Sequence, residues 1–130
     1  MASRKELPGN LHINQNLAPK TANPDIRPLA PGEFLENPNG SWSSEITASV
    51  ADPGLNGGAA TNVPTLWLIK GKPTQVSEDE AAILAAQSGL PFPAHPSMDA
   101  ANAAAIEREK MWQTMKPQDA IAASPLWGAP

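Results

Sequence analysis

Cysteine and tyrosine are absent from this chain of 130 residues, and phenylalanine occurs only twice. Without cysteine there is no disulfide and no thiolate metal site. Aromatic rings contribute most to a core, so four tryptophans must carry most of that role. No apolar run approaches the roughly 20 residues that a membrane-spanning helix needs. A net charge of −4 leaves no strong basic field, and no basic stripe provides the electrostatic footprint of a nucleic-acid binder. The first residues, Met-Ala-Ser-Arg-Lys-Glu, carry basic side chains with no apolar run behind them, which is not the pattern of a secretory signal. The lack of cysteine fits synthesis in the cytosol.

Proline is what the chain has in excess: 15 residues, beside 9 glycines. At this density it limits regular structure, so a single domain with a small core is expected. Residues 1–40 hold six of the prolines, and their charges cancel, four against four. No apolar period of 2 or 3.6 survives there for more than a few residues. The expectation is an extended arm with little regular structure, ordered by neighbouring chains rather than by its own contacts. Its apolar residues Leu11, Ile13, Leu17, Ile26, Leu29, Phe34 and Leu35 are the candidate partner-binding positions.

Residues 41–116 predict the core, of α+β class: a small β-hairpin or short sheet packed with two helices. Residues 44–50 alternate, with Ile46, Ala48 and Val50 on one face and Glu45, Thr47 and Ser49 on the other. Residues 63–69 predict the second strand, with Pro64 at its start, where a missing N–H is tolerated. Residues 74–76 could return as a short third strand. The connection between the first two strands, Asp52-Pro-Gly-Leu-Asn-Gly-Gly58, is dense in turn signals. Ser77 and Glu80 have the spacing of a capping box, and acidic residues fill the first turn of the helix that follows. Gly89 is placed to end it in the left-handed conformation. Ser97 predicts the cap of a second helix, which Pro117 stops. Ile46, Val50, Leu66, Leu68, Leu84 and Ala105 are expected to be buried together, with Trp67 or Trp112 closing one side. Residues 117–130 form an apolar tail, whose Leu126 and Trp127 either fold back on the core or dock on a partner.

The search for chemistry gives little. A phosphate-binding loop runs strand, glycine loop, lysine, helix. Here the glycines precede a strand, Lys70 follows it, and no helix N-terminus is predicted behind Gly57 and Gly58 to hold an anion. His12 and His95 have no third ligand at metal spacing. Capping accounts for Glu78, Asp79 and Glu80. Asp52 and Asn56 lack the spacing of a calcium loop, and no serine sits in a G-x-S-x-G elbow. Trp67 with Lys70 and Lys72 is a weak version of a stacking site for single strands, and a core role fits Trp67 better. No catalytic residue, cofactor site or metal site is assigned.

The order of motifs is nevertheless distinctive: Arg27-Pro28, Glu36-Asn-Pro-Asn-Gly-Ser41, Ser44-Glu-Ile-Thr47, Asp52-Pro-Gly-Leu-Asn-Gly-Gly58, Thr61-Asn-Val-Pro-Thr-Leu-Trp67, Gly71-Lys72, Val76-Ser-Glu-Asp-Glu-Ala81, Ser88-Gly89 and Ser97-Met-Asp-Ala-Ala-Asn-Ala103. Over about residues 27–113 this set resembles a small module of tailed-bacteriophage virion proteins, which recurs alone and inside larger internal (ejection) or tail proteins. The resemblance implies a non-enzymatic structural component of the virion, made in the host cytoplasm and present in several copies in a symmetric assembly. Its partners would be other virion proteins (portal, tail, capsid or internal), bound through the arm and tail. A capsid decoration or cement protein is the alternative within that class. A phage-encoded module binding a host protein is the alternative outside it.

Overall fold

Pro64 and Thr65 divide the chain's strongest apolar segment between two sheets. The computed structural model describes residues 21–23, 25–43, 45–115 and 125–127, and in it the single strand expected over 63–69 is two. In chain order the elements are β1 (Ile26–Pro28), β2 (Leu35–Glu36), β3 (Trp42–Ser43), β4 (Thr47–Val50), β5 (Ala60–Pro64), β6 (Leu66–Ile69), β7 (Lys72–Gln75), α1 (Glu78–Ser88), β8 (Ala94–His95) and α2 (Met98–Thr114). They make three small antiparallel sheets, ordered β1-β6-β7, β2-β3 and β4-β5-β8. The α+β class with two helices is as expected.

Thr65 is the crossing point. Its N–H donates to the Ile46 carbonyl at 2.7 Å, and its hydroxyl donates to the same oxygen at 2.9 Å. Its own carbonyl accepts from the Val76 N–H at 2.8 Å. One residue therefore ends the β4–β5 ladder and starts the β6–β7 one. Antiparallel pairs alternate between hydrogen-bonded and open, so Pro64, opposite Thr47, falls on an open pair. Its missing N–H leaves no gap in that ladder.

The sheet partner of β6 was not expected. Ile26, Arg27 and Pro28 pair with Ile69, Leu68 and Trp67. Behind this strand, Ala30-Pro31-Gly32-Glu33 closes a turn, with Glu33 N–H donating to the Ala30 carbonyl at 3.0 Å. Gly32 has φ of 93°, the value that the third residue of a type II turn needs and that glycine adopts at least cost. The turn brings Glu33 onto Arg27. Two guanidinium nitrogens donate to its two carboxylate oxygens at 2.7 and 2.8 Å, and the Ala30 N–H donates to Oε1 at 2.7 Å. Glu33 has no solvent exposure and Arg27 almost none. The folded unit thus includes residues 26–36, which corrects the expected arm boundary at residue 40. A buried ion pair and a sheet partner outweigh proline content here. Asn37 and Ser41 then close the β2–β3 hairpin with an N–H···O bond of 2.8 Å.

Trp67, fully buried, anchors the main core. Its indole N–H donates to the Pro64 carbonyl at 2.7 Å. Phe92 meets it edge-on with ring centres 6.4 Å apart, and Trp127 meets Phe92 at 6.5 Å. Ala30, Ala48, Leu55, Val63, Val76, Ala81, Ala85 and Leu126 complete this cluster. Leu66 and Leu68 instead pack with Leu29 and Leu35 in a second cluster. The expected common core is therefore corrected. Val50 and Leu84 only border the main cluster, Ala105 is half-buried, and Ile46 is exposed. β6 is covered on both sides, Leu66 and Leu68 facing the second cluster and Trp67 the main one, so all three are buried.

The helices begin as read. Ser77 Oγ accepts the Glu80 N–H at 3.1 Å, and Gly89 closes α1 with φ of 75°. Ser97 Oγ accepts the Ala100 N–H at 3.1 Å. The β4-β5-β8 sheet lies between them: Ala48 packs with Ala81 and Ala85 of α1, while α2 contacts β4, β5 and β8. Replacing Glu33 with alanine leaves Arg27 charged and buried, and such losses cost about 3–5 kcal/mol. A melting curve of Glu33→Ala should fall far below that of the parent, whereas an unchanged midpoint would show that the pair does not hold β1.

Candidate interaction cleft

β4 has a sheet neighbour on one side only. Ile46 gives its carbonyl to Thr65, and the same alternation directs the backbone of Ala48 and Val50 toward β5. The N–H and C=O groups of Thr47 and Ser49 therefore point to the open edge. Two adjoining clefts, sharing Ser49 and Glu78, follow this edge. The larger, about 540 Å³, lies between β4 and α2 and includes Ile46, Thr47, Ile106, Glu109 and Trp112. The smaller, about 350 Å³, continues past Val50 to Asp52, Asp79, Ile83 and Met98.

The apolar lining is selective. Among the described residues the large exposed hydrophobic side chains are Ile46 at 37%, Ile83 at 51%, Met98 at 41% and Ile106 at 52%. All four line these two clefts. The charged lining is of one sign: Glu45, Asp52, Glu78, Asp79 and Glu109, with no lysine or arginine. Glu45 is held by Arg108, whose Nε and Nη2 both donate to it, the latter at 2.9 Å. Trp112 adds a buried indole N–H with no acceptor among the described residues. Apolar side chains, free backbone groups and an acidic rim along a sheet edge suit an extended peptide rather than a small substrate.

Beneath α2 runs a polar row. Ser49 Oγ donates to Asn62 Oδ1 at 2.8 Å, and Asn62 Nδ2 lies 3.3 Å from His95 Nε2. The amide stands between hydroxyl and imidazole, so the histidine does not meet the serine as a base meets a nucleophile. The row locks β4, β5 and β8 in register. Among the described residues no group of three or more His, Asp or Glu is placed to hold a metal ion, and no helix is long and apolar enough to cross a membrane.

The expected partner-binding residues are distributed differently. Leu29, Leu126 and Trp127 are buried, and Ile26 and Leu35 pack against the two clusters. Leu29 belongs to the interior, which corrects its reading as a docking position; Ile26 and Leu35 are half-buried, and of the two outcomes left open for Leu126 and Trp127 the structure has them on the core. Their apolar character reflected a core short of aromatics. Phe34 is half-buried. Leu11, Ile13 and Leu17, with most of the arm and of the tail, lie outside the described residues. The cleft itself was not recognised in the sequence. Its signal was present in Ile83 and Ile106, isoleucines outside the helices' small-residue faces.

The glycine loop is a connection built from its own turns. Asp52 Oδ1 accepts the Gly54 N–H at 2.8 Å, and the Asp52 carbonyl accepts the Leu55 N–H at 2.9 Å. Leu55 is buried in the main core. Asn56, Gly57 and Gly58 all have positive φ, and Asn56 Nδ2 donates to Thr61 Oγ1 and to the Phe92 carbonyl at 3.0 and 3.1 Å. Comparison of the chain with protein-family models, with curated proteins and with solved structures finds no match.

A Cβ at Gly57 would meet open space, but φ there is 66°, so alanine should cost about 1–2 kcal/mol through backbone strain alone. Gly57→Ala should lower the melting midpoint and change no nucleotide affinity. Titration with ATP, GTP and a short oligonucleotide at low salt checks this, and saturable binding lost in Gly57→Ala would restore a phosphate-loop reading.

Proposed function

We propose that the chain is a non-enzymatic structural component of a tailed-phage particle, and that it binds other virion proteins along the open edge of β4. The observation that carries this reading is that the four large exposed hydrophobic residues among the described ones gather at one sheet edge. A protein that only needed to stay soluble would scatter such residues singly. The motifs behind the resemblance support it in a second way. They lie on conformational positions: the β2–β3 turn, the Asp52 turn, the Thr65 crossing, the caps at Ser77 and Ser97, and Gly89. Positions of that kind serve shape rather than chemistry.

The arm remains part of this reading through residues 1–20, whereas binding by Leu126 and Trp127 does not. Mass spectrometry of purified particles from a phage that encodes the chain is the direct test. Recovery in fixed ratio to the portal or tail proteins is the expected result. Recovery in fixed ratio to the major capsid protein would favour a cement role. Absence from particles, with the protein present in infected cells, would overturn the virion assignment and favour a module that binds a host protein.

A further inference from the structure

The cleft along β4 has specific requirements for an occupant. It offers outward backbone groups at Thr47 and Ser49 and apolar seats at Ile46, Ile106, Ile83 and Met98. Asp52, Glu78, Asp79 and Glu109 rim it without a lysine or arginine in the lining, Glu45 being already paired with Arg108. An occupant must be extended, apolar at alternate positions and flanked by basic residues. Two β4 edges facing each other would bring the acidic rims together, so a symmetric edge-to-edge pair is disfavoured by charge.

The chain itself contains a segment with the required chemistry. Residues 10–17 read Asn-Leu-His-Ile-Asn-Gln-Asn-Leu. In an extended backbone Leu11, Ile13 and Leu17 fall on one side. Residues 1–20 carry Arg4, Lys5 and Lys20 against Glu6, a net +2 opposed to the acidic rim. This segment lies outside the described residues.

The point where the arm joins the fold argues that the segment comes from another molecule. The Ala22 N–H donates to the Ser88 carbonyl, so the arm joins the fold at the C-terminal end of α1. The smaller cleft extends to Ile83 in mid-helix, but the open β4 edge, marked by Ser49 and Glu78 shared between the two clefts, lies at the N-terminal end. Ten helical steps separate these ends by about 15 Å. The five steps from Ala22 back to Leu17 span about 17 Å only when fully stretched. The arm could therefore reach its own cleft only when taut. It would then run parallel to β4, the weaker form of pairing. A neighbour's arm meets neither restriction.

We propose that residues 10–17 of one copy add as a strand to the β4 edge of another, with Leu11, Ile13 and Leu17 over the apolar cleft and the basic arm residues against its carboxylates. Donor and acceptor are different surfaces, so the contact is head-to-tail and propagates into a ring or a filament. The inference uses the same cleft as the proposed function but not the identity of the particle. Its test needs only the purified chain, so each can fail without the other.

Sedimentation of the full chain over a range of concentrations is the measurement. Association that rises with concentration is expected, with its midpoint moved by about tenfold or more in Ile13→Asp and in Ile106→Asp. Ile106 is half exposed, and matching melting curves would confirm that both variants fold. Mixing them should restore pairwise complexes, because one keeps an intact edge and the other an intact arm. A peptide of residues 8–20 should compete, and the same peptide N-methylated at Leu11 and Ile13, whose N–H groups would face Thr47 and Ser49 in an antiparallel pair, should not. A chain that stays monomeric throughout would overturn the proposal, even if the peptide binds, because the arm would then dock on its own molecule. Association that survives both substitutions, or variants that fail to complement, would also overturn it.

Discussion

The bidentate pair between Arg27 and Glu33 is the constraint around which the small sheets are arranged. Its charges have almost wholly left water, which is tolerable only because each carboxylate oxygen has a guanidinium nitrogen and Oε1 has the Ala30 N–H as well. Satisfying that geometry requires the Pro31-Gly32 turn. The turn fixes the direction in which residues 29–36 leave β1, so Leu29 comes down on Leu66 and Leu68 and Leu35 packs beside them. A chain with few aromatic rings thereby gains a second apolar cluster from a segment whose prolines appeared to exclude it from the fold.

The other sheet is organised by covering. α1 closes one face with alanines, which allow its backbone to approach Ala48 and Val63 closely. α2 closes the other over the polar row of Ser49, Asn62 and His95. With both faces taken, the only unsatisfied direction left to β4 is its outer edge. The docking surface therefore follows from the architecture: the same small helix residues that let the layers close leave Ile83 and Ile106 outside, beside that edge. Natural sheets usually protect such an edge with charge, proline or a cover. Here the charge is acidic and the apolar lining is retained, a combination that excludes self-pairing while admitting a basic strand.

Local signals in the sequence were legible wherever a side chain acts on its own backbone. Ser77, Gly89 and Ser97 marked helix ends, and the Asp52 and Asn56 turns marked a connection, because capping and positive φ are decided within a few residues. Long-range pairings were not legible. The match of Ile26–Pro28 with β6 joins segments some forty residues apart, and nothing local distinguishes that strand from an extended arm. Glu33 carried a hint, since a glutamate after Pro-Gly sits where a turn can return it to Arg27. Reading it requires knowing that the pair is buried. The cleft was illegible for a related reason: an edge is defined by the strand that does not pair, and the sequence alone does not show which one that is.

The buried pair also orders events in time. Arg27 and Glu33 are six positions apart, and closing so short a loop has a small entropic cost. β1 needs Ile69, and the aromatic chain through Phe92 needs Trp127. On the ribosome the N-terminal part of the fold is made long before its partners emerge. Beside the hydrogen bonds that Ile26 makes with Thr21 and Asn23, the ion pair is a contact of β1 that needs no later segment, a clasp by which the first strand and its turn can take shape while translation supplies the strand they will meet.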